Sequence, residues 1–316
     1  MVPPPELLTD VLPTDRLTES GMAVPELRAE LRRIDDLRNV GAVVFTWVQA
    51  LGTIGLAVWI DRWWAYALAF LAMGPAFARF AILGHEAAHK LLFTNKRAND
   101  WVGRWLVAYP AFVPLDAYRR SHFAHHKDEF GPNEPDMNLY NGYPVTEASF
   151  RRKLWRDARG TSGWKNLKGL LYAFKSETAR PFAIRIAVMQ LPLIALAIAV
   201  GKWWLYPLLW LLPWMTVWRV INRLRSIAEH GGMQRSKDRR ETTHHVHQSL
   251  LARATIVPLN TGWHLAHHVD MGVPWRNLPK LHAELERAGY VTRELTYPSY
   301  RALWKNLRSR PETPAA

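Results

Sequence analysis

The chain has 316 residues, 49% of them apolar, with 16 Trp, no Cys and a formal net charge of +14. The lack of Cys excludes disulfides and thiolate metal ligands, leaving histidine and carboxylate as the strong ligand types. The length admits one large domain or two ordinary ones, but a negative mean hydropathy beside so many apolar residues means that these are gathered into segments, as in a membrane protein with a large aqueous part.

Residues 1–39 form an arm that opens on Pro3-Pro4-Pro5 and carries mixed charges. No basic n-region leads there into an apolar h-region and cleavage site, so no signal peptide is read. Within the arm, Glu26 to Arg38 sets Leu27, Leu31, Ile34 and Leu37 at helical spacing among arginines. This pattern fits an amphipathic helix, either at a membrane surface or packed on the protein's own body. Val40 to Ile60 is free of charge for long enough to cross the hydrocarbon core. After the short Asp61-Arg62 turn, Trp63 to Gly84 returns, so residues 40–84 read as a transmembrane hairpin with Trp63 and Trp64 as interfacial anchors. Arg79 falls inside the second segment, where it snorkels or makes a structural contact. Residues 85–180 are mostly polar, with an apolar piece, Trp101 to Leu115, too short to span and therefore re-entrant, interfacial or the core of an aqueous cap. Pro181 to Val200 and Trp203 to Ile221, separated by Gly201 and Lys202, give a second hairpin over 181–221, and 222–316 returns to polar sequence.

The two short turns contain only Arg62 and Lys202, whereas the arm, the 85–180 region and the C-terminal region hold nearly all other Lys and Arg. Basic loops lie on the cytoplasmic side. The expected fold is therefore a single all-α, integral-membrane domain over 1–316, with four transmembrane helices in two hairpins, both termini in the cytoplasm and a cytosolic helical cap. The same distribution accounts for the basic charge through membrane lipids. No nucleic-acid recognition module is visible, so nucleic acid is excluded as a partner.

Just beyond the predicted spans the histidines gather: His85 and His89 in H-E-A-A-H, His122, His125 and His126 in H-F-A-H-H, and His264, His267 and His268 in H-L-A-H-H. Spacings of three and four residues put imidazoles on one helix face. His230, close after the fourth span, can join them. Nine imidazoles exceed the four to six positions around one ion, so two metals fit the count, and neutral imidazole suits iron, zinc or copper. His244, His245 and His247 sit among Arg239, Arg240, Glu241 and Thr242 and read as a solvated loop. His282, in an amphipathic stretch, reads as structural or interfacial.

In this order the three boxes resemble those of the integral-membrane fatty acid desaturases and their hydroxylase and ketolase relatives. The likeness continues through Ala228-Glu229-His230 and the stretch Val273 to His282, covering most of residues 40–285. It implies a non-haem di-iron centre on the cytoplasmic face with His85, His89, His122, His125, His126, His230, His264, His267 and His268 as ligands, and O2 as co-substrate. The acyl-CoA branch of the family carries an Asn one helical turn before the extra histidine. Here that position is Ser226, a departure from the branch. The expected reaction is the introduction of a double bond into a fatty acyl chain, as an acyl lipid or on an acyl carrier, with hydroxylation or ketolation of a lipid or carotenoid as the alternative.

An unactivated C–H bond yields to no side-chain acid or base, which is why such a reaction needs a metal and O2. All-imidazole ligation brings no negative charge, so carboxylates such as Glu86, Glu229, Asp136 and Asp270 are candidates to orient the ligand N–H groups. No haem- or flavin-binding segment is visible, so electrons are expected from a separate ferredoxin-like donor, for which the basic face suits an acidic partner. Two rival readings fare worse. An intramembrane zinc protease built on His85, Glu86 and His89 leaves the other two boxes without a role, and a metal carrier would place ligands inside the spans, where there are none.

Overall fold

The computed structural model describes residues 1–312, so the last four residues of the expected domain lie outside the described residues. The chain separates into two compact units. One, here the spanning unit, comprises Asp35–Arg119 and Lys153–Asn222; the other, here the histidine unit, comprises Met1–Ile34, Arg120–Arg152 and the chain from Arg223. Helices dominate both, and the only named strands among the described residues are His245–Val246 and Thr296–Tyr297, paired in parallel.

In the spanning unit, three of the four predicted spans are helices long and apolar enough to cross a membrane: Asp36–Ile60, Trp63–Ala88 and Arg180–Ala199. The first starts where the Asp35 side chain accepts from the Arg38 backbone N–H, a local N-cap. This cap also corrects the arm. The expected continuous helix from Glu26 to Arg38 is instead a seven-residue helix, Pro25–Leu31, whose Leu31 is buried in the histidine unit, followed by a break and a new start at Asp36. The arm thus packs on the protein's own body. The fourth predicted span is not one regular helix. Residues 207–211 form a π-helical turn, 212–215 an α-helical one, and at Thr216 the backbone leaves helical geometry before Val217–His230 begins. Pro213 lacks the N–H that a continuous ladder needs, and its ring crowds the Leu209 carbonyl four residues back.

The apolar Trp101 to Leu115 piece is buried against the second span. Gly103 permits this, because a Cβ there would sit 2.5 Å from the Ala87 Cβ. Its backbone turns through π-helical and irregular geometry, and carbonyls freed from regular pairing are met by side chains of the apolar segments around it. Trp47 Nε1 donates to Leu106 O at 2.8 Å, Gln190 Nε2 to Tyr109 O at 2.9 Å and Trp210 Nε1 to Pro110 O at 3.0 Å. Irregular backbone at membrane depth persists only with such partners. Trp210 also stacks with Trp47 and meets Phe77 edge-on, at the centre of the core. Replacing Trp210 by Phe, which keeps an aromatic ring but orphans the Pro110 carbonyl, is expected to cost about 1–3 kcal/mol, read as a lower thermal midpoint in detergent; the exposed Trp203→Phe serves as the control and is expected to change nothing. Arg79 lies over the Phe45 ring at 5.0 Å, a structural contact. At the other end of the unit, Asp61 and Lys202 of the two short turns form an ion pair at 2.7 Å.

Candidate metal centre

The histidine unit gathers seven of the nine candidate ligands. His122, His125 and His126 lie on the last turns of the Leu115–Lys127 helix, His230 ends the Val217–His230 helix, and His264, His267 and His268 occupy the six-residue helix His264–Val269, every residue of which is buried. Two trios of ring nitrogens result. In one, His126 Nε2 lies 3.0 Å from His122 Nε2 and 3.1 Å from His267 Nε2. In the other, His264 Nε2 lies 3.0 Å from His268 Nε2 and 3.1 Å from His230 Nε2. His125 stands beside the second trio, its ring 5.0 Å from that of His230 and 5.1 Å from that of His268. Donors at right angles around one ion, with bonds of about 2.1 Å, stand about 3.0 Å apart. The residues present therefore fit two metal positions.

The Nδ1 atoms of several of these rings are held from outside. His125 Nδ1 donates to Glu134 at 3.0 Å, His268 Nδ1 to Glu129 at 2.6 Å and His230 Nδ1 to the Thr242 carbonyl at 2.9 Å. Fixing the proton on Nδ1 leaves Nε2 bare and pointed inward, the tautomer that a ligand needs. Glu129 is shared, since Arg239 approaches the same oxygen at 2.6 Å. Burial raises its carboxyl and Arg239 opposes that shift. Burial and the neighbouring imidazoles hold His230 and His268 well below the ordinary histidine range. His125 goes the other way, because the Glu134 carboxylate outweighs the effect of burial.

Of the four carboxylates expected to orient ligands, Glu229 is buried, with Oε1 3.6 Å from His264 Nδ1 and 3.4 Å from Arg225, and burial pushes its carboxyl up to about 7. Asp136 donates its backbone N–H to Glu134, so it supports the carboxylate that touches His125. Asp270 is instead engaged by Arg32 at 2.6 Å and Arg28 at 3.5 Å, tying the arm to the end of the third box.

Glu86 and the first box belong to the spanning unit. His85 and His89 close the Trp63–Ala88 helix with ring centroids 4.6 Å apart, and Glu86 Oε1 lies 3.6 Å from His85 Nδ1. The last carbonyls of that helix are capped by one guanidinium, Arg119 donating to Ala87 O and Ala88 O at 2.9 Å. A cation at a helix C-terminus satisfies both the orphan acceptors and the dipole. Burial, and secondarily the Arg119 charge, push His89 down to about 4, so it stands as neutral imidazole. An apolar cavity of about 220 Å³ in this unit is lined by residues such as Ile54, Val58, Ala197 and Leu205. It runs from the side of the short turns to Trp210, the ring at the centre of the core.

Residues 61–301 match the family model for fatty acid desaturases. The chain belongs to the fatty acid desaturase family. It is 28% identical to the dihydrorhizobitoxine desaturase of Bradyrhizobium elkanii, over 81% of this chain and 78% of that protein. It is 24% identical to the sn-1 oleoyl-lipid 12-desaturase of Arthrospira platensis, over 72% and 70%. A Synechocystis sn-1 acyl-lipid omega-3 desaturase (ferredoxin) is 28% identical over 46% of this chain and 40% of its own length. Membership makes this a membrane protein and a desaturase-type oxidoreductase, and implies iron-dependent catalysis. The hydrolase reading of the first box falls with it.

Three partners of the desaturase histidines were not among the expected ones: Glu129, Glu134 and the Thr242 carbonyl. The sequence offers a signal for the two acids, since they follow the second box closely; for a backbone carbonyl there is none. The expected solvated loop at 244–247 is corrected in part. His244 and His245 are buried, His244 Nε2 donating to Gly231 O at 2.8 Å, and only His247 is exposed. Folding this segment against the His230 helix requires its polar groups to go inside and find partners there.

Proposed function

We propose that the chain is an O2-dependent, di-iron desaturase that introduces a double bond into a fatty acyl chain carried on a lipid or an acyl carrier. The observation that carries this reading is the pair of Nε2 trios, each spaced for one ion. Within the histidine unit one iron would take His122, His126 and His267 and the other His125, His230, His264 and His268; His85 and His89 of the first box would complete the set of nine. Irons so held supply the oxidising power for a saturated chain, –CH2–CH2– going to –CH=CH– as O2, two electrons and two protons become two waters. Glu134, Glu129 and Thr242 keep the Nδ1 protons outside and the Nε2 lone pairs inside. Glu229 and Glu86 stand 3.6 Å from His264 Nδ1 and His85 Nδ1, longer than a hydrogen bond, and would orient those rings electrostatically.

Four spans in two hairpins, with both termini and the centre cytoplasmic, are supported by the asymmetry of Lys and Arg and by the Asp61–Lys202 contact between the two short turns. The spans and the histidine unit then serve one reaction as a single domain. A ferredoxin-like donor is supported by the Synechocystis relative and by an omega-3 desaturase from Nostoc, both named as ferredoxin enzymes, and the +14 charge favours an acidic one. The test is lipid profiling of cells expressing the wild type against His125→Ala. A new alkene present only with the wild type is expected. A hydroxylated product without alkene, or profiles that do not differ, would overturn the reading.

A further inference from the structure

Away from the two trios, the histidine unit holds another constellation. His245, on the first short strand, faces His282 of the Leu278–Arg287 helix with ring centroids 4.1 Å apart and planes inclined by 32°. One helical turn later Glu286 places Oε1 3.3 Å from His282 Nε2. One nitrogen from each ring and a Glu286 oxygen all lie within 4.8 Å of one another. Both imidazoles are more than nine-tenths buried, His245 7% and His282 4% exposed, and Nδ1 of each has no hydrogen-bond partner. Buried polar atoms are nearly always partnered, and the helix and strand that carry these two rings offer them nothing. Burial, and then the neighbouring His282, push His245 down to about 3, so the rings meet as neutral imidazoles with lone pairs available.

We propose that His245, His282 and Glu286 form a zinc site distinct from the iron centre. Two neutral imidazoles and a carboxylate are a zinc donor set, and a tetrahedral ion with bonds of about 2.0–2.1 Å separates its donors by about 3.4 Å. The His282–Glu286 pair already has that spacing. Glu286, 55% exposed in its side chain, opens the fourth position to water. The ion would tie the segment that supplies Thr242 to His230 to the helix that follows the third box, closing a clip across residues 245 to 282 around His264–Val269.

The experiment uses the full chain in detergent, loaded anaerobically with Fe(II) and then titrated with zinc chloride against a chromophoric chelator. The expected result is one zinc per chain beyond the iron, with a rise in thermal midpoint, because an ion that binds only the folded state stabilises it. His245→Ala and His282→Ala are expected to lose this zinc with iron unchanged, and Glu286→Ala to weaken it by at least about tenfold. Should the buried histidine variants fail to fold, the exposed Glu286→Ala carries the test alone. Absence of the extra zinc in the wild type overturns the proposal. So does zinc that Glu286→Ala binds as tightly as the wild type, or zinc that disappears in His126→Ala while Glu286→Ala retains it, since that ion belongs to the iron centre.

Discussion

His126→Ala and His268→Ala, one from each nitrogen trio, are each expected to reduce desaturation to the background of cells lacking the protein and to lower the iron retained after purification. His126 Nε2 is the atom that two others approach within 3.1 Å, and His268 is both a trio member and the ring held by Glu129 at 2.6 Å. A missing donor at either position opens the coordination of one ion and unbalances the pair. The loss should exceed the about 10–100-fold that follows from removing a group that merely orients a ligand. Fold is not expected to suffer in proportion, because deleting one imidazole from a crowd of buried, mutually repelling rings relieves the apoprotein. The elution volume and helical signal of both variants should therefore match the wild type. Wild-type iron content and activity in His126→Ala would show that the trios are not the ligand set.

Glu134→Gln carries the second largest effect, a loss of about 10–100-fold in turnover with iron more easily removed by a chelator. The substitution keeps size and one acceptor oxygen but removes the charge that fixes the His125 proton on Nδ1, where both carboxylate oxygens now lie at 3.0 Å. Asp270→Asn is the comparison. Asp270 is as deeply buried, but it meets Arg32 and Arg28 rather than a ligand, so its loss should appear as a lower thermal midpoint with iron retention unchanged. Breaking a buried pair by removing one partner costs up to about 3–5 kcal/mol, less here because both arginines are partly exposed. Equal damage to turnover from the two variants would argue that Glu134 acts on stability and not on His125.

The contrast between these two acids shows what distance along the chain leaves undecided. Both stand within a few residues of a histidine box, at Glu134 after the second and Asp270 after the third. Proximity along the chain made Asp270 as good a candidate as any. Which acid reaches a ring is decided by what else comes near: Arg32 arrives from the arm, more than two hundred residues away in sequence, and takes Asp270 first. The interruption at Thr216 is a different kind of miss. Pro213 lies within the run, yet the predominantly apolar composition of Trp203 to Ile221, with Arg219 only near its end, outweighed it. Hydropathy measures burial, and it is blind to whether the backbone ladder continues.

Sequence alone determined the features whose cause is local. Apolar runs of about 20 residues span a bilayer whatever surrounds them, and histidines three and four apart share a face because the helix repeats every 3.6 residues. The first three spans and the shared faces of the box histidines follow from those periodicities. Tertiary structure decided what depends on partners brought from afar: the pairing of His267 with His126 and of His230 with His264, the Thr242 carbonyl on His230, and the burial of His245 against His282. A lone pair has no direction in a sequence. It acquires one only when the packing of other segments fixes the ring and occupies its second nitrogen.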